Sequence, residues 1–125
     1  MNLRTENVKL ENYSLEADAA GSPPLIRLKG TFDMTATGAL SLFLVSIEGE
    51  VRRLRWQDFT IDVTEVYYLS SSCIKSFVTL IEALKKLDFH PRVRIIIHSR
   101  LDWHERTFSI LSRLAPTLIT LDKAG

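Results

Sequence analysis

Residues 58–87 read DFTIDVTEVYYLSSSCIKSFVTLIEALKKL, and this stretch decides the fold. Residues 58–63 alternate between polar and apolar, which puts Phe59, Ile61 and Val63 on one face of a strand. Val66-Tyr67-Tyr68-Leu69 then leads into three consecutive hydroxyls, Ser70, Ser71 and Ser72. Serine is a favoured N-cap, because its side-chain oxygen accepts one of the backbone N–H groups that a helix start leaves without a partner. Beyond the serines Ile74, Phe77, Val78, Ile81, Leu84 and Leu87 recur at spacings of three and four. Lys75, Ser76, Thr79, Glu82, Lys85 and Lys86 mark the opposite, solvated side, so the segment is an amphipathic helix. A strand, a short connection and a helix make the repeating unit of parallel sheets.

Working outward, residues 8–17 alternate loosely and predict an edge strand. Gly21-Ser22-Pro23-Pro24 is a turn, and residues 25–30 are a second strand closed by Gly30, so the two form a hairpin. Asp33 and Thr35 are N-cap candidates for a helix over 36–55, whose face carries Leu40, Phe43, Leu44, Ile47 and Val51. Gly49 is expected to loosen or end it, with Arg52, Arg53 and Arg55 at the negative end of its dipole. His90-Pro91 breaks the chain. Residues 93–98, rich in β-branched side chains, predict an interior strand, 103–114 a third helix stopped by Pro116, and 117–121 a last strand. The order β β α β α β α β predicts an α/β domain: a mostly parallel or mixed sheet of about five strands with helices packed on it. One domain spans 1–125, with 1–6 as a flexible N-terminus.

The composition excludes more than it identifies. With 125 residues, 46% hydrophobic and 25% charged, the chain can bury one core without a staple. A net charge of +1 argues against a nucleic-acid-backbone binder. A lone cysteine, Cys73, excludes a disulfide framework and suits a reducing cytoplasm. The first residues lack the apolar core of a secretory signal, and the longest apolar stretch, around 40–47, is too short to cross a bilayer. The expected location is cytoplasmic, away from membranes.

Catalytic groupings are scarce. His90, His98 and His104 have neither metal-site spacing nor accompanying carboxylates, and read as structural or surface residues. The five glycines are scattered, which rules out a phosphate loop. Trp56 and Trp103 read as packing residues, and Cys73 as a small buried residue without a catalytic partner. The chain reads as a non-enzyme that uses no cofactor or metal. One N-cap accounts for one serine only. An extra exposed hydroxyl at a helix N-terminus can accept a phosphoryl group, whose dianion the free N–H groups and the dipole stabilise.

Two motifs carry a resemblance. Leu25-Ile26-Arg27-Leu28-Lys29-Gly30-Thr31-Phe32-Asp33 resembles the strand–Gly–x–Leu–Asp segment that opens STAS domains, the anti-sigma-factor-antagonist family. Ile61-Asp62-Val63-Thr64-Glu65-Val66-Tyr67-Tyr68-Leu69-Ser70-Ser71-Ser72-Cys73-Ile74 resembles that family's second signature, a strand and short loop followed by Asp-Ser-Ser/Thr-Gly-Leu at a helix start. The likeness covers about residues 8–122 and departs from the family where Ser70 replaces Asp, Cys73 replaces glycine and Lys75 replaces a small residue. Leu69-Ser70-Ser71-Ser72-Cys73-Ile74-Lys75 is locally similar to Leu-Asn-Thr-Ser-Ser-Ile-Lys of the divergent biofilm-regulating phosphoproteins of the SiaC type.

The resemblance implies a phosphorylation-switched binding module in bacterial partner-switching signal transduction. Ser71 holds the position of the phosphoacceptor, with Ser72 and Ser70 as its alternatives. Asp33, Tyr67, Tyr68, Leu69, Ser70, Ser72, Cys73, Lys75, Ser76 and Thr79 form the expected partner-binding surface. The implied partners are a serine protein kinase resembling anti-sigma factors, a PP2C-type phosphatase, and an effector that is an anti-sigma factor or a diguanylate cyclase. The alternatives are a constitutive STAS scaffold without phosphorylation and a STAS domain that binds a small ligand or nucleotide.

Overall fold

The computed structural model describes residues 3–125. Among them are six strands, three α-helices and one 3-10 turn. The strands are β1 (Val8–Lys9), β2 (Tyr13–Asp18), β3 (Leu25–Phe32), β4 (Asp58–Leu69), β5 (Arg92–His98) and β6 (Ile119–Ala124). The helices are α1 (Thr37–Leu54), preceded by the 3-10 turn Met34–Ala36, then α2 (Ser71–Lys85) and α3 (Asp102–Arg113). The strands lie side by side in sequence order, antiparallel from β1 to β3 and parallel from β3 to β6. This is the α/β mixed sheet that the sequence predicts, with one strand more. Residues 8–17 form two strands rather than one, because a turn closed by Leu10 N–H donating to Tyr13 C=O folds them back on each other.

Period-two alternation sorts the sheet into two faces. Ile26, Ile61 and Ile95 stand in register across β3, β4 and β5, and all are buried. With them pack Leu40, Phe43, Leu44, Ile47 and Val51 of α1, Phe77, Leu80, Ile81 and Leu84 of α2, and Phe108 and Leu111 of α3. The alternate positions carry ion pairs instead, Arg27–Asp62, Lys29–Glu65 and Arg94–Asp122.

Several boundaries differ from expectation. β3 does not close at Gly30 but runs through it to Phe32, with Gly30 at φ 108°. A Cβ there would come 2.2 Å from the Asn12 carbonyl oxygen, so the chain needs glycine for close approach as well as for conformation. α1 passes through Gly49 and ends at Arg55, which adopts the left-handed conformation at φ 50°. The Arg55 guanidinium sits 4.3 Å over the Phe89 ring and bonds Asp88, which holds the turn. Residues 66–69 are the end of β4 rather than a loop. β4 gains an extra residue against β3 between Asp62 and Glu65 and again between Val66 and Tyr68, so it reaches the serines as a bulged strand.

Two readings of the N-terminal half change. Residues 1–2 of the expected flexible N-terminus lie outside the described residues. In 3–6, Leu3 packs on the core, Arg4 N–H donates to Glu50 Oε2 at 3.1 Å, and Thr5 Oγ1 lies 2.7 Å from Ser46 Oγ. The apolar stretch is longer than 40–47, since Met34–Leu54 has the length and composition to cross a membrane. In this fold its apolar stripe packs against the sheet instead.

Candidate functional site

The site forms where β4 ends and α2 begins. Ser70 caps α2: its Oγ accepts from Cys73 N–H at 3.2 Å, while its own N–H donates to Phe32 C=O at 2.8 Å. This ties the helix start to the end of β3. Ser70 is buried, and its hydroxyl lies 3.1 Å from that of Ser72. Ser72 Oγ also shares a 2.6 Å hydrogen bond with Thr37 Oγ1 in the first turn of α1. Ser71, the first residue of α2, is exposed, and no hydrogen bond to its hydroxyl occurs among the described residues. The serine run therefore divides into a cap, a strut and a free hydroxyl.

The other expected contact residues divide by burial. Tyr67 and Tyr68 are 62% and 53% exposed, unusual for such large rings, and Asp33, Lys75 and Thr79 are exposed as well. Leu69, Ser70, Cys73 and Ser76 are buried, which corrects their reading as partner-touching side chains. Cys73 is sealed beneath the first turn of α2, with Sγ 3.6 Å from Thr37 Oγ1 and 3.5 Å from the Asp33 carbonyl oxygen. Its φ is not among the positive ones, so the glycine of the family pattern is not demanded by the backbone here. Ser76 turns inward because α1 packs beside it, and its Oγ meets Ser41 Oγ at 2.7 Å. The buried face of α2 is accordingly rotated toward α1, taking in Ser76 and Leu80 and leaving Ile74 and Val78 only half-buried.

Asp33 caps the 3-10 turn before α1, accepting from Thr35 N–H at 2.9 Å and from the Thr35 hydroxyl. The Thr35 hydroxyl, followed by the Thr35 N–H, holds its carboxyl below the ordinary aspartate value. It therefore stands as an exposed negative charge just ahead of α1.

Thr37 and Ser41 are functional neighbours that sequence reasoning missed. With Ser72 and Ser76 they line a groove of about 520 Å³ between α1 and α2, with Leu44, Leu80 and Ala83 as apolar lining and exposed Val45 at its outer edge. Spacings of four on both helices (37 and 41, 72 and 76) were visible in the sequence, but nothing local fixes which turns of two helices meet.

The histidines behave as structural or surface residues. His104 is fully buried: its Nδ1 accepts from His98 N–H at 3.0 Å and its Nε2 lies 2.7 Å from the Val66 carbonyl oxygen. Nδ1 is the acceptor, so the neutral ring carries its proton on Nε2 and donates to Val66. Since β5 pairs only with Asp58–Asp62 of β4, this bond occupies a carbonyl on the part of β4 that extends past its neighbour. Burial holds the His104 pKa below the ordinary value. Among the described residues no group of three or more His, Cys, Asp or Glu is placed to hold a metal.

No family model and no curated protein matches the chain. Its fold does match solved structures. The crystal structure of an anti-sigma factor antagonist from Mycobacterium paratuberculosis superimposes with a TM-score of 0.63 over 88% of this chain and 85% of that chain. The two sequences are 16% identical, so the likeness is one of fold. That fold is the one the two sequence motifs imply.

Proposed function

We propose that this chain, which has the fold of an anti-sigma factor antagonist, is a binding module switched by phosphorylation of Ser71. One observation carries the reading: of the three adjacent serines, only Ser71 presents a hydroxyl that is exposed and unengaged among the described residues. In the unphosphorylated state, Asp33, Tyr67, Tyr68, Lys75 and Thr79 dock on a regulatory protein, with the half-buried Ser72 at the edge. A phosphate on Ser71 adds a charge of about −1.5 to −2 in the middle of that surface. The first turn of α2 and Lys75, one turn further on, stabilise it there. Docking must then desolvate a dianion, and partner carboxylates are repelled, so affinity falls without any rearrangement of the fold.

The partners that suit this reading are a serine kinase of the histidine-kinase-like ATPase type, a PP2C-type phosphatase, and an effector, either an anti-sigma factor or a diguanylate cyclase. The test is to incubate the protein and ATP with the kinase encoded beside its gene, then map the modified peptide by mass spectrometry. Phosphate on Ser71, lost again on adding the phosphatase, is the expected result. Phosphate confined to residues outside 70–72, with an active kinase, overturns it. Effector binding by Ser71→Asp should fall at least about tenfold, one step of 1.4 kcal/mol. Unchanged binding identifies a constitutive scaffold instead.

A further inference from the structure

The outer ridge of α1 has no partner within the chain. One flank of the helix is closed by α2 through the Thr37–Ser72 and Ser41–Ser76 hydroxyl pairs. The other flank is closed by the N-terminal segment through Arg4 to Glu50 and Thr5 to Ser46. Leu40, Phe43, Leu44, Ile47 and Val51 face the core. What remains outside is Gly38, Leu42, Val45 and Gly49. Leu42 and Val45 are 75% and 60% exposed. Gly38 and Gly49 face open space, with nothing within 4 Å of where a Cβ would stand.

Neither glycine is required by a close approach inside the chain, and Gly49 lies in the interior of α1, where glycine is about 1 kcal/mol less favourable than alanine. A second backbone coming near from outside the chain would require both. The spacing of Gly38, Leu42, Val45 and Gly49, at intervals of four, three and four, is also the same in both directions. We infer that α1 is a homodimerisation helix, which packs antiparallel on α1 of a second copy about a two-fold axis between Leu42 and Val45.

A two-fold interface is self-complementary, so residue i meets j and j meets i. With the axis placed there, Leu42 meets Val45 of the second copy and Gly38 meets its Gly49. Charge follows the same pairing. Asp33 stands just before the N-terminal end of α1, and Arg52 and Arg53 occupy its last turn. Antiparallel packing brings each copy's Asp33 toward the other's Arg52, which also bonds Glu48 of its own helix. The two helix dipoles oppose each other, which is favourable. One helix pair lies at the small end of specific interfaces, so the dimer belongs in the micromolar range.

This inference is independent of Ser71 and its phosphorylation. Sedimentation velocity over a concentration series from micromolar to millimolar should show monomer passing into dimer. Leu42→Glu and Val45→Glu, both at exposed positions, should each weaken the dimer about a hundredfold or more while the monomer's circular dichroism and melting temperature stay unchanged. Orientation is read by disulfide trapping, since buried Cys73 leaves the introduced thiols as the reactive ones. Thr35 and Arg52, both exposed, face each other in the same pairing, while like copies of either lie about 25 Å apart at 1.5 Å per residue. Thr35→Cys mixed with Arg52→Cys should therefore cross-link without touching the glycines, and neither variant should do so alone. A monomer at every concentration, a dimer indifferent to Leu42→Glu, or cross-links between like positions would each overturn the inference.

Discussion

Ser72 Oγ and Thr37 Oγ1 lie 2.6 Å apart and join the first turn of α2 to the first turn of α1. The two helices thus start side by side, and the hydroxyl next to the free one is part of the framework. Ser72→Ala should lower stability by about 1 kcal/mol, and Thr37→Val by a similar amount. The double variant should lose less than the sum, because either change alone already breaks the bond. Ser71→Ala should leave stability within about 0.5 kcal/mol of the parent, as an exposed site does. Urea unfolding of the four variants and the parent checks this. Phosphorylation should respond the other way round, surviving Ser72→Ala and disappearing in Ser71→Ala.

Ser70→Ala removes both the N-cap acceptor for Cys73 N–H and a partner of the half-buried Ser72 hydroxyl. A loss of about 1–2 kcal/mol is expected from thermal melts. Hydrogen exchange at the first turn of α2 should rise with it.

Gly30→Ala asks a side chain to occupy a left-handed position 2.2 Å from the Asn12 carbonyl oxygen. Since Thr31 N–H donates to that same carbonyl, the turn before β2 cannot move aside without losing the bond. Destabilisation of about 3 kcal/mol or more should appear in chemical denaturation.

His104 makes stability depend on pH. Its folded pKa is depressed by burial from an ordinary value of 6.5, so the unfolded chain binds the proton more readily. The ring's contribution is fully present above that ordinary value and is lost as pH falls from there through the folded pKa. His104→Gln keeps hydrogen-bonding groups but cannot titrate, so stability measured across this window should lose that part of its slope.

Gly49→Ala should stabilise the monomer by about 0.5–1 kcal/mol, since the added methyl meets nothing within the chain. The same substitution should weaken self-association. Melting at low concentration and sedimentation at high concentration should therefore move in opposite directions.

Local chemistry carried much of the fold into the sequence. The period-two runs of β3, β4 and β5 and the Ser70 cap are decided by residues close in the chain, whereas Asp33, expected to cap the long helix, caps the 3-10 turn before it and leaves Ala36 as the N-cap of α1. The misplaced features depend on distant ones. Gly30 reads as a strand end until Asn12 is known to lie against it. Gly49 reads as a helix breaker, but α1 has enough buried contacts on its other faces to carry it through. The site was legible to the same degree. The serine run marked itself, and Lys75 lies on the solvated face that helix periodicity assigns, but the joint exposure of Tyr67 and Tyr68, neighbours in one strand, depends on the bulge in β4. Burial of Ser76 is set by Ser41, which comes from a helix whose register against α2 no local pattern specifies.

Cys73, the chain's single thiol, lies fully buried under the first turn of α2. In the folded protein it is shielded from alkylating reagents and mild oxidants, and a reagent reaches it only when that turn lifts. Its labelling rate is thus a built-in clock for local opening beside Ser71, readable without adding a probe. A docked partner should slow the clock, and a loosened cap should speed it.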